Sequence, residues 1–348
     1  MTTSNGADAR DIDFEPARLA EYLKPLSGSA ESLTIERTQG GMSNPTYYLR
    51  RGDWQAVLRK QPRGVLMPSA HAIDREFRVL SALYGSAVPV PAPLQYCADR
   101  EVVGTPFYLM QRLQGRVFDQ FSTPGLEPDE RRAIYDAMAR TMAAIHRLDL
   151  NQIGLTDYGR PGNYFARQLS RWSQQWSQFR TGDDDNPALD RMIAWLAERV
   201  PDTSVQTLCH GDYRMSNLMI DATEPRVIAV LDWELSTLGH PLVDVAYNSQ
   251  AWRMAPDENG GLLGLPLNAL GIPREEEYLE RYYGFAASSE RMTTFHRVFA
   301  MFRGAVGSAS VAVRGAAGSG VLPDAARVGR KLSLAYATRG VQLFGDSP

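Results

Sequence analysis

The chain has 348 residues, 44% hydrophobic and 22% charged, which suits a soluble globular protein with core enough for one bilobal enzyme or two domains. A formal net charge of -3 and a pI near 6.0 exclude a general basic footprint for nucleic acid, while leaving a local basic pocket open. Cys97 and Cys209 are too few for a disulfide framework and lack metal-ligand spacing; no apolar run reaches the ~18 residues of a membrane span, and Met1 to Arg10 lacks a signal-peptide core, so the expectation is a cytoplasmic protein whose residues 1–12 form an unordered terminus.

In chain order, Phe14 to Tyr22 carries apolar residues at helical spacing and predicts a short helix stopped near Pro25. Ser32 to Arg37 predicts a first strand, entering the turn Gln39-Gly-Gly-Met-Ser-Asn-Pro-Thr46. Thr46 to Arg50 and Gln55 to Arg59 alternate as second and third strands. Backbone N–H groups of a glycine-containing turn can hold phosphate oxygens, which makes Gly41, Ser43 and Asn44 candidates; an ordinary hairpin reads the same way. The third strand ends on Arg59 and Lys60, which alternation sends to opposite faces. Ser69 to Tyr84 is an amphipathic helix with Ile73, Phe77, Leu80 and Leu83 in its stripe. Glu76 within it is either a solvated charge or the partner of a strand cation.

Val88-Pro-Val-Pro-Ala-Pro93 is a stiff, extended connection, and Leu94 to Ala98 with Phe107 to Leu113 predicts a hairpin closing a small sheet. After Gly115 the chain reads as mainly helical. Pro128 to Leu148 carries the stripe Ile134, Met138, Met142 and Ile145 and ends at His146, a core or helix-end residue rather than a catalyst. Tyr164 to Phe179 places Phe165, Leu169, Trp172 and Trp176 at helical spacing beside Arg167, Arg171 and Arg180. Asp183-Asp-Asp185 then marks an exposed loop before a helix over Ala188 to Arg199. Further helices are expected at Glu275 to Tyr283, at Met292 to Val313, where Gly304, Gly307 and Ala309 permit close packing, and at Asp324 to Phe344.

The most informative stretch is Leu208-Cys-His-Gly-Asp-Tyr-Arg-Met-Ser-Asn-Leu-Met-Ile220, followed by a buried strand, Val227 to Leu231, and then Asp232-Trp-Glu234. Phosphoryl transfer needs little covalent help, but it needs divalent cations against the phosphates and a carboxylate that orients the attacking hydroxyl. Mg²⁺ takes oxygen ligands, so one Asn and one Asp suffice beside the phosphates themselves. Asp212 is thus the candidate base, and Asn217 and Asp232 are the candidate metal ligands. The plainer alternative is a polar turn with satisfied side chains.

H-G-D-x-x-x-x-N followed by h-h-D-W-E resembles the aminoglycoside phosphotransferase and choline kinase-like family, with the Asp-to-Asn spacing of the protein-kinase catalytic loop and Gly211 in place of its Arg. The resemblance implies an α+β, protein kinase-like bilobal fold: residues 1–113 an ATP-binding lobe with an antiparallel sheet and a helix, residues 114–348 a mainly helical lobe with the acceptor pocket. It implies ATP and Mg²⁺ as cofactors, Arg59 on the third strand contacting phosphates with Lys60 as fallback, Glu76 pairing with that cation, and the backbone of about Gln111 to Leu113 meeting adenine. It also implies a small-molecule hydroxyl as acceptor, without nucleic acid or membrane partners; the oligomeric state stays open. Asp244 is assigned a structural role, capping its helix and bracing the loop, and His240 is structural too.

Gly40-Gly-Met-Ser-Asn-Pro-Thr46, Val57-Leu-Arg-Lys60 and Arg171-Trp-Ser-Gln-Gln-Trp176 look most like the branch related to the kinase domain fused to acyl-CoA dehydrogenases. That branch implies a hydroxyacyl-CoA or hydroxy acid, with Arg63, Arg167 and Arg171 as candidate anion contacts. The alternatives are an aminoglycoside O-phosphotransferase, whose polycationic substrate wants acids such as Asp183 to Asp185 and Glu275 to Glu277, or a nucleotide-binding pseudokinase. A protein kinase is disfavoured because no A-P-E follows Asp232.

Overall fold

The computed structural model describes residues 12–38, 44–63, 72–180, 185–317 and 324–345, which fall into two compact units, Met1–Gln114 with Ala229–Glu234, and Gly115–Ile228 with Leu235–Pro348. The first unit opens with α1 (Pro16–Ser27), which runs past Pro25 and closes on Gly28 at φ 60°. Pro25 sits in its last turn, so only one helical hydrogen bond is forgone, and the left-handed glycine accounts for the stop.

Strands β1 (Thr34–Arg37), β2 (Thr46–Arg51), β3 (Trp54–Lys60), β4 (Pro93–Cys97) and β5 (Phe107–Gln111) form one antiparallel sheet in the order β1-β2-β3-β5-β4. Helix α2 (Ile73–Leu83) lies between β3 and β4 in sequence, and a one-turn α3 (Arg100–Val103) interrupts the expected hairpin between β4 and β5. Central β3 is buried from Ala56 to Lys60 on both faces. On one face, Tyr47, Leu49 and Leu58 pack with Leu19 and Leu23 of α1 and with Phe107 and Leu109. On the other, Val57 and Arg59 stand beside Tyr108, the cross-strand partner of Arg59. The later segment returns to this unit where Val230 N–H donates to Pro89 O at 2.8 Å.

The second unit is mainly helical. It begins with β6 (Gly115–Arg116) and α4 (Pro128–His146), then α5 (Tyr164–Phe179) and α6 (Pro187–Ala197). Asn163 caps α5 by accepting from Ala166 N–H at 3.1 Å, and Phe165, Leu169 and Trp176 are buried as their spacing predicts. The short strands β7 (Thr207–Cys209), β8 (Leu218–Asp221) and β10 (Thr237–Gly239) follow, with β7 antiparallel to β10 and β8 to β6, while β9 (Val227–Val230) carries the chain back into the first unit. Beyond them come α7 (Leu242–Ser249), α8 (Leu267–Leu270), α9 (Glu275–Ala286), α10 (Thr294–Ala316) and α11 (Ala325–Gln342).

Helices α10 and α11 pack closely. A Cβ on Gly329 would stand 2.5 Å from Ala312 N, and one on Gly304 2.9 Å from the Tyr336 ring, whereas Gly307 faces open space. Among the described residues no helix is long and apolar enough to cross a membrane.

Candidate active site

In the first unit the strand alternation sends two neighbouring cations to opposite faces of the sheet. Lys60 points to the α1 face, fully buried, with its ammonium 2.6 Å from Asp13 Oδ2 and 5.5 Å from the Phe14 ring centroid. Burial pushes its pKa down, opposed by Asp13. Arg59 points to the α2 face, where Nε donates to Glu76 Oε2 at 3.0 Å and Nη2 to Asp232 Oδ1 at 2.5 Å, with Glu234 Oε2 at 3.8 Å. Burial works against the Arg59 charge, but Glu76 and Asp232 outweigh it and raise the guanidinium pKa. The fully buried Glu76 carboxyl is raised by desolvation, with Arg59 opposing.

Asp232 follows β9 with φ 63°, a left-handed turn that presents its carboxylate to Arg59. Asn44 is buried, and its Nδ2 donates to Glu234 Oε2 at 3.3 Å. The Gln111 backbone N–H donates to Ala92 O at 2.8 Å, and Leu113 lies just beyond the strand. Gly41 and Ser43 lie outside the described residues. Arg63 is half exposed, 3.6 Å from Asp13.

In the second unit the loop after β7 is built on backbone hydrogen bonds. Asp244 of α7 is fully buried; its Oδ2 accepts from His210 N–H at 2.6 Å and its Oδ1 from Gly211 N–H at 2.9 Å. His146 Nε2 lies 3.3 Å from the same Oδ2, and its Nδ1 bonds the Tyr282 hydroxyl at 2.7 Å. Burial alone would raise the Asp244 carboxyl, but His146 and the Gly211 N–H hold it below the usual carboxylate value. Asp244 therefore braces the loop without capping its own helix.

Gly211 has φ +84°, and a Cβ there would lie 2.4 Å from Leu235 O, so only glycine fits between His210 and Asp212. Asp212 N–H donates to His210 Nδ1 at 3.1 Å. Asn217, ending a 3₁₀ turn over Met215–Asn217, donates from Nδ2 to Asp212 O at 2.8 Å and to Asp212 Oδ2 at 2.9 Å. Arg303 of α10 donates to Gly211 O.

The donor chemistry suits Mg²⁺. With Asn217 Nδ2 engaged by Asp212, the amide turns its carbonyl oxygen to other partners, and Asp232 has Oδ2 besides the oxygen that Arg59 takes. Both side chains thus offer hard oxygen atoms of the kind Mg²⁺ takes. The structure thus brings Arg59, Glu76 and Asp232 together in one unit, and Asp212 with Asn217 in the other. Sequence reasoning missed Asp13 and Glu234, which hold the two cations and Asn44, and it missed Arg303 and the pairing of His146 with Asp244. Arg167 donates to Pro161 O and Gly162 O, and Arg171 lies 5.5 Å from the Trp172 ring centroid.

A five-stranded antiparallel sheet whose third-strand cation is tied to a helix carboxylate, and a helical part carrying an H-G-D loop, are the parts of a kinase-like fold. The model of the phosphotransferase enzyme family matches residues 34–292, and the chain belongs to that family. A solved structure from Ralstonia eutropha, provisionally described as an aminoglycoside phosphotransferase, is 39% identical with a TM-score of 0.81, covering 94% of this chain and 99% of its own. The aminoglycoside phosphotransferase APH(4)-Ia, solved with ADP and hygromycin B, has the same fold at 20% identity and TM-score 0.60, covering 92% of this chain and 98% of its own. Mouse acyl-CoA dehydrogenase family member 10 is 40% identical over 95% of this chain and 32% of its own length. Human family member 11 is 44% identical over 77% of this chain and 35% of its own. The chain spans about a third of the length of these curated relatives.

Proposed function

We propose that the chain is an ATP-dependent small-molecule kinase that passes the γ-phosphate to an alcohol, the acceptor being a hydroxyacyl-CoA or a hydroxy acid. The observation that carries this reading is the Asp212 carboxylate, held by Asn217 at 2.9 Å in a loop whose backbone is fixed by Asp244. In the proposed step the acceptor oxygen bonds to the γ-phosphorus as the bond to the β-bridging oxygen breaks. The hydroxyl proton goes to Asp212, and ADP leaves. Mg²⁺, when bound, neutralises charge on the phosphates, and Asn217 and Asp232 are its proposed ligands. Arg59, oriented by Glu76, is the proposed phosphate contact, because a guanidinium keeps its charge and can grip two oxygens at once. Residues 1–113 are read as the nucleotide lobe, with Asn44 and the backbone of Gln111 to Leu113 as nucleotide contacts, and 114–348 as the lobe of the loop and acceptor. Two buried, unpaired cysteines fit a cytoplasmic setting.

The nucleotide assignment is supported by the ADP in the APH(4)-Ia complex, and the acyl-CoA assignment by the names of the relatives. An aminoglycoside acceptor is favoured by the hygromycin B of that same complex. Against it, three of the candidate acids are engaged, Asp185 by Arg180 at 3.1 Å, Glu275 by Arg253 at 2.5 Å and Glu277 by Arg274 at 2.9 Å, while Glu276 is exposed. Asp183 and Asp184 lie outside the described residues.

The test is ATP-to-alcohol transfer by wild type and Asp212→Asn across hydroxyacyl-CoAs, hydroxy acids, aminoglycosides and choline-like alcohols, beside Mg-ATP affinity for both. The variant should bind nucleotide nearly normally and lose about 10²–10⁴ in rate. Equal turnover removes Asp212 from the base role. Nucleotide binding without transfer to any alcohol favours a pseudokinase.

A further inference from the structure

The peptide bond between Gly211 and Asp212 is the joint on which the candidate base turns. Gly211 sits at φ +84°, and a residue without a Cβ leaves its ψ open as well, so the torsion that aims Asp212 has little steric restraint of its own. The Asp244 carboxylate takes the two amides before the joint, His210 N–H at 2.6 Å and Gly211 N–H at 2.9 Å. The peptide beyond them needs other partners.

It finds one on α10. Arg303 Nη2 donates to Gly211 O, and Asp212 N–H donates to His210 Nδ1 at 3.1 Å, so both ends of this peptide are engaged, one of them by a residue 92 positions away. The Arg303 guanidinium carbon lies 4.9 Å from the Tyr247 ring centroid. Tyr247 follows Asp244 by three residues on α7, and residues so spaced share a helix face. That face therefore holds the N–H groups of the loop directly and its carbonyl through Arg303. Burial works against the Arg303 charge, and Tyr164, Tyr247, Asp212 and Asp244 outweigh it, so the donor stays charged. A hydrogen bond from a charged donor is about twice as strong as a neutral one.

We infer that Arg303 is a positioning residue for the proposed base: by pinning Gly211 O it fixes the Gly211–Asp212 peptide, and so holds the Asp212 carboxylate where Asn217 meets it. The inference rests on the kinase reading for the word base. It gives α10, which lies outside the motifs, a share in the chemical step through Asp212.

Hydrogen exchange and kinetics test the two halves separately. Exchange of single amides, followed by NMR on the full chain, needs no acceptor. In wild type the Asp212 amide should be protected alongside those of His210 and Gly211; free exchange at Asp212 overturns the inference, and no variant has to fold for that result. In Arg303→Met the Asp212 amide should exchange at least about tenfold faster, while His210 and Gly211, still held by Asp244, keep their protection. Arg303→Lys restores a charged donor and should recover part of the difference. Unchanged exchange at Asp212 in a folded Arg303→Met sinks the positioning role.

The kinetic arm uses ATP, Mg²⁺ and 3-hydroxybutyryl-CoA, or the best alcohol of the screen above. Arg303→Met should lower kcat by about 10- to 100-fold and leave KM for ATP unchanged, with partial recovery in Arg303→Lys. On an Asp212→Asn background the same substitution should cost little more, because a residue that acts only through Asp212 has nothing left to position. A full further loss on that background, or an unchanged kcat in Arg303→Met, overturns the inference. If the exchange result holds but wild type phosphorylates no alcohol, Arg303 still positions Asp212 and the kinase reading falls.

Discussion

The two units hold their candidate residues by opposite means. In the first, side-chain charges hold one another: Arg59 lies between Glu76 and Asp232, and a ligand must share partners already in use. In the second, the Asp212 loop is held through its backbone by Asp244, a carboxylate that takes no part in the proposed chemistry. That division leaves Asp212 with Asn217 as its hydrogen-bonded side-chain partner, with the Arg214 and Arg303 guanidiniums acting on it through charge alone. A network of charges orients strongly but is costly to break, whereas a backbone brace fixes geometry and leaves the reactive group uncommitted.

The sharpest way to break the comparison is to delete each strand cation in turn. Arg59→Ala leaves Glu76 buried and unpaired, and breaking a buried pair typically costs 3–5 kcal/mol. Lys60→Ala should cost less, because Asp13 is about a third exposed and can hydrate. Urea unfolding measures both. Calorimetry with Mg-ATP should show weaker binding for Arg59→Ala and nearly unchanged binding for Lys60→Ala. The reverse order in nucleotide affinity moves the phosphate contact to Lys60 and undoes the account of the first unit.

The sequence makes that choice only through the family resemblance, which implies Arg59 with Lys60 as fallback. Alternation separates Arg59 from Lys60 but signals which face matters only when one face is polar, and β3 is buried on both from Ala56 to Lys60. What was legible is local: α5 runs from Tyr164 to Phe179 as its aromatic stripe predicts, and Asp212 and Asn217 meet because they share one short turn. The kinase-like fold was legible through the motifs. What was illegible is long-range. His146 lies 98 residues from Asp244, and nothing in an apolar helix stripe announces a carboxylate partner. A Cβ on Gly329 would stand 2.5 Å from Ala312 N, which nothing in the flanking sequence signals, while one on Gly307, expected to permit close packing, would meet nothing within 4 Å. Asp232 at φ 63° is a turn that its flanking residues did not declare.

The brace of the second unit can be tested by Asp244→Asn. An amide keeps one acceptor oxygen and turns an N–H₂ toward either His210 or Gly211, leaving one buried N–H unmade at about 1–3 kcal/mol. Denaturant unfolding should show that loss. Transfer should slow with Mg-ATP affinity retained, because the nucleotide contacts proposed for the first unit are intact. Stability and turnover both equal to wild type would mean that the loop holds its shape without Asp244.

The smallest effect separates the units by pH, since the second unit backs its loop with histidines. His296 lies 5.9 Å from His240 and packs edge-on to Phe165 at 5.2 Å. Its Nδ1 accepts from Thr293 N–H at 3.1 Å, occupying the place of the Glu or Gln in a capping box at the start of α10. Burial, then the neighbouring His240 and Arg297 charges, lower its pKa from 6.5 to about 4. Between those values the unfolded chain takes up a proton that the folded chain refuses, so stability present at neutral pH is lost as pH falls below 6.5, and the loss levels off near 4. At pH 5 the loss from this group is about 2 kcal/mol, at roughly 1.4 kcal/mol per pH unit. His296→Gln keeps an acceptor for Thr293 and removes the titration, at the expense of ring contacts worth about 1 kcal/mol. The variant should therefore be slightly less stable than wild type at pH 7.5 and slightly more stable at pH 5, because the groups other than His296 are common to both proteins. Unfolding free energies at the two pH values decide it. Curves that stay parallel from pH 7.5 to pH 5 would show that His296 takes up its proton as readily folded as unfolded, and that burial in the second unit does not hold it neutral.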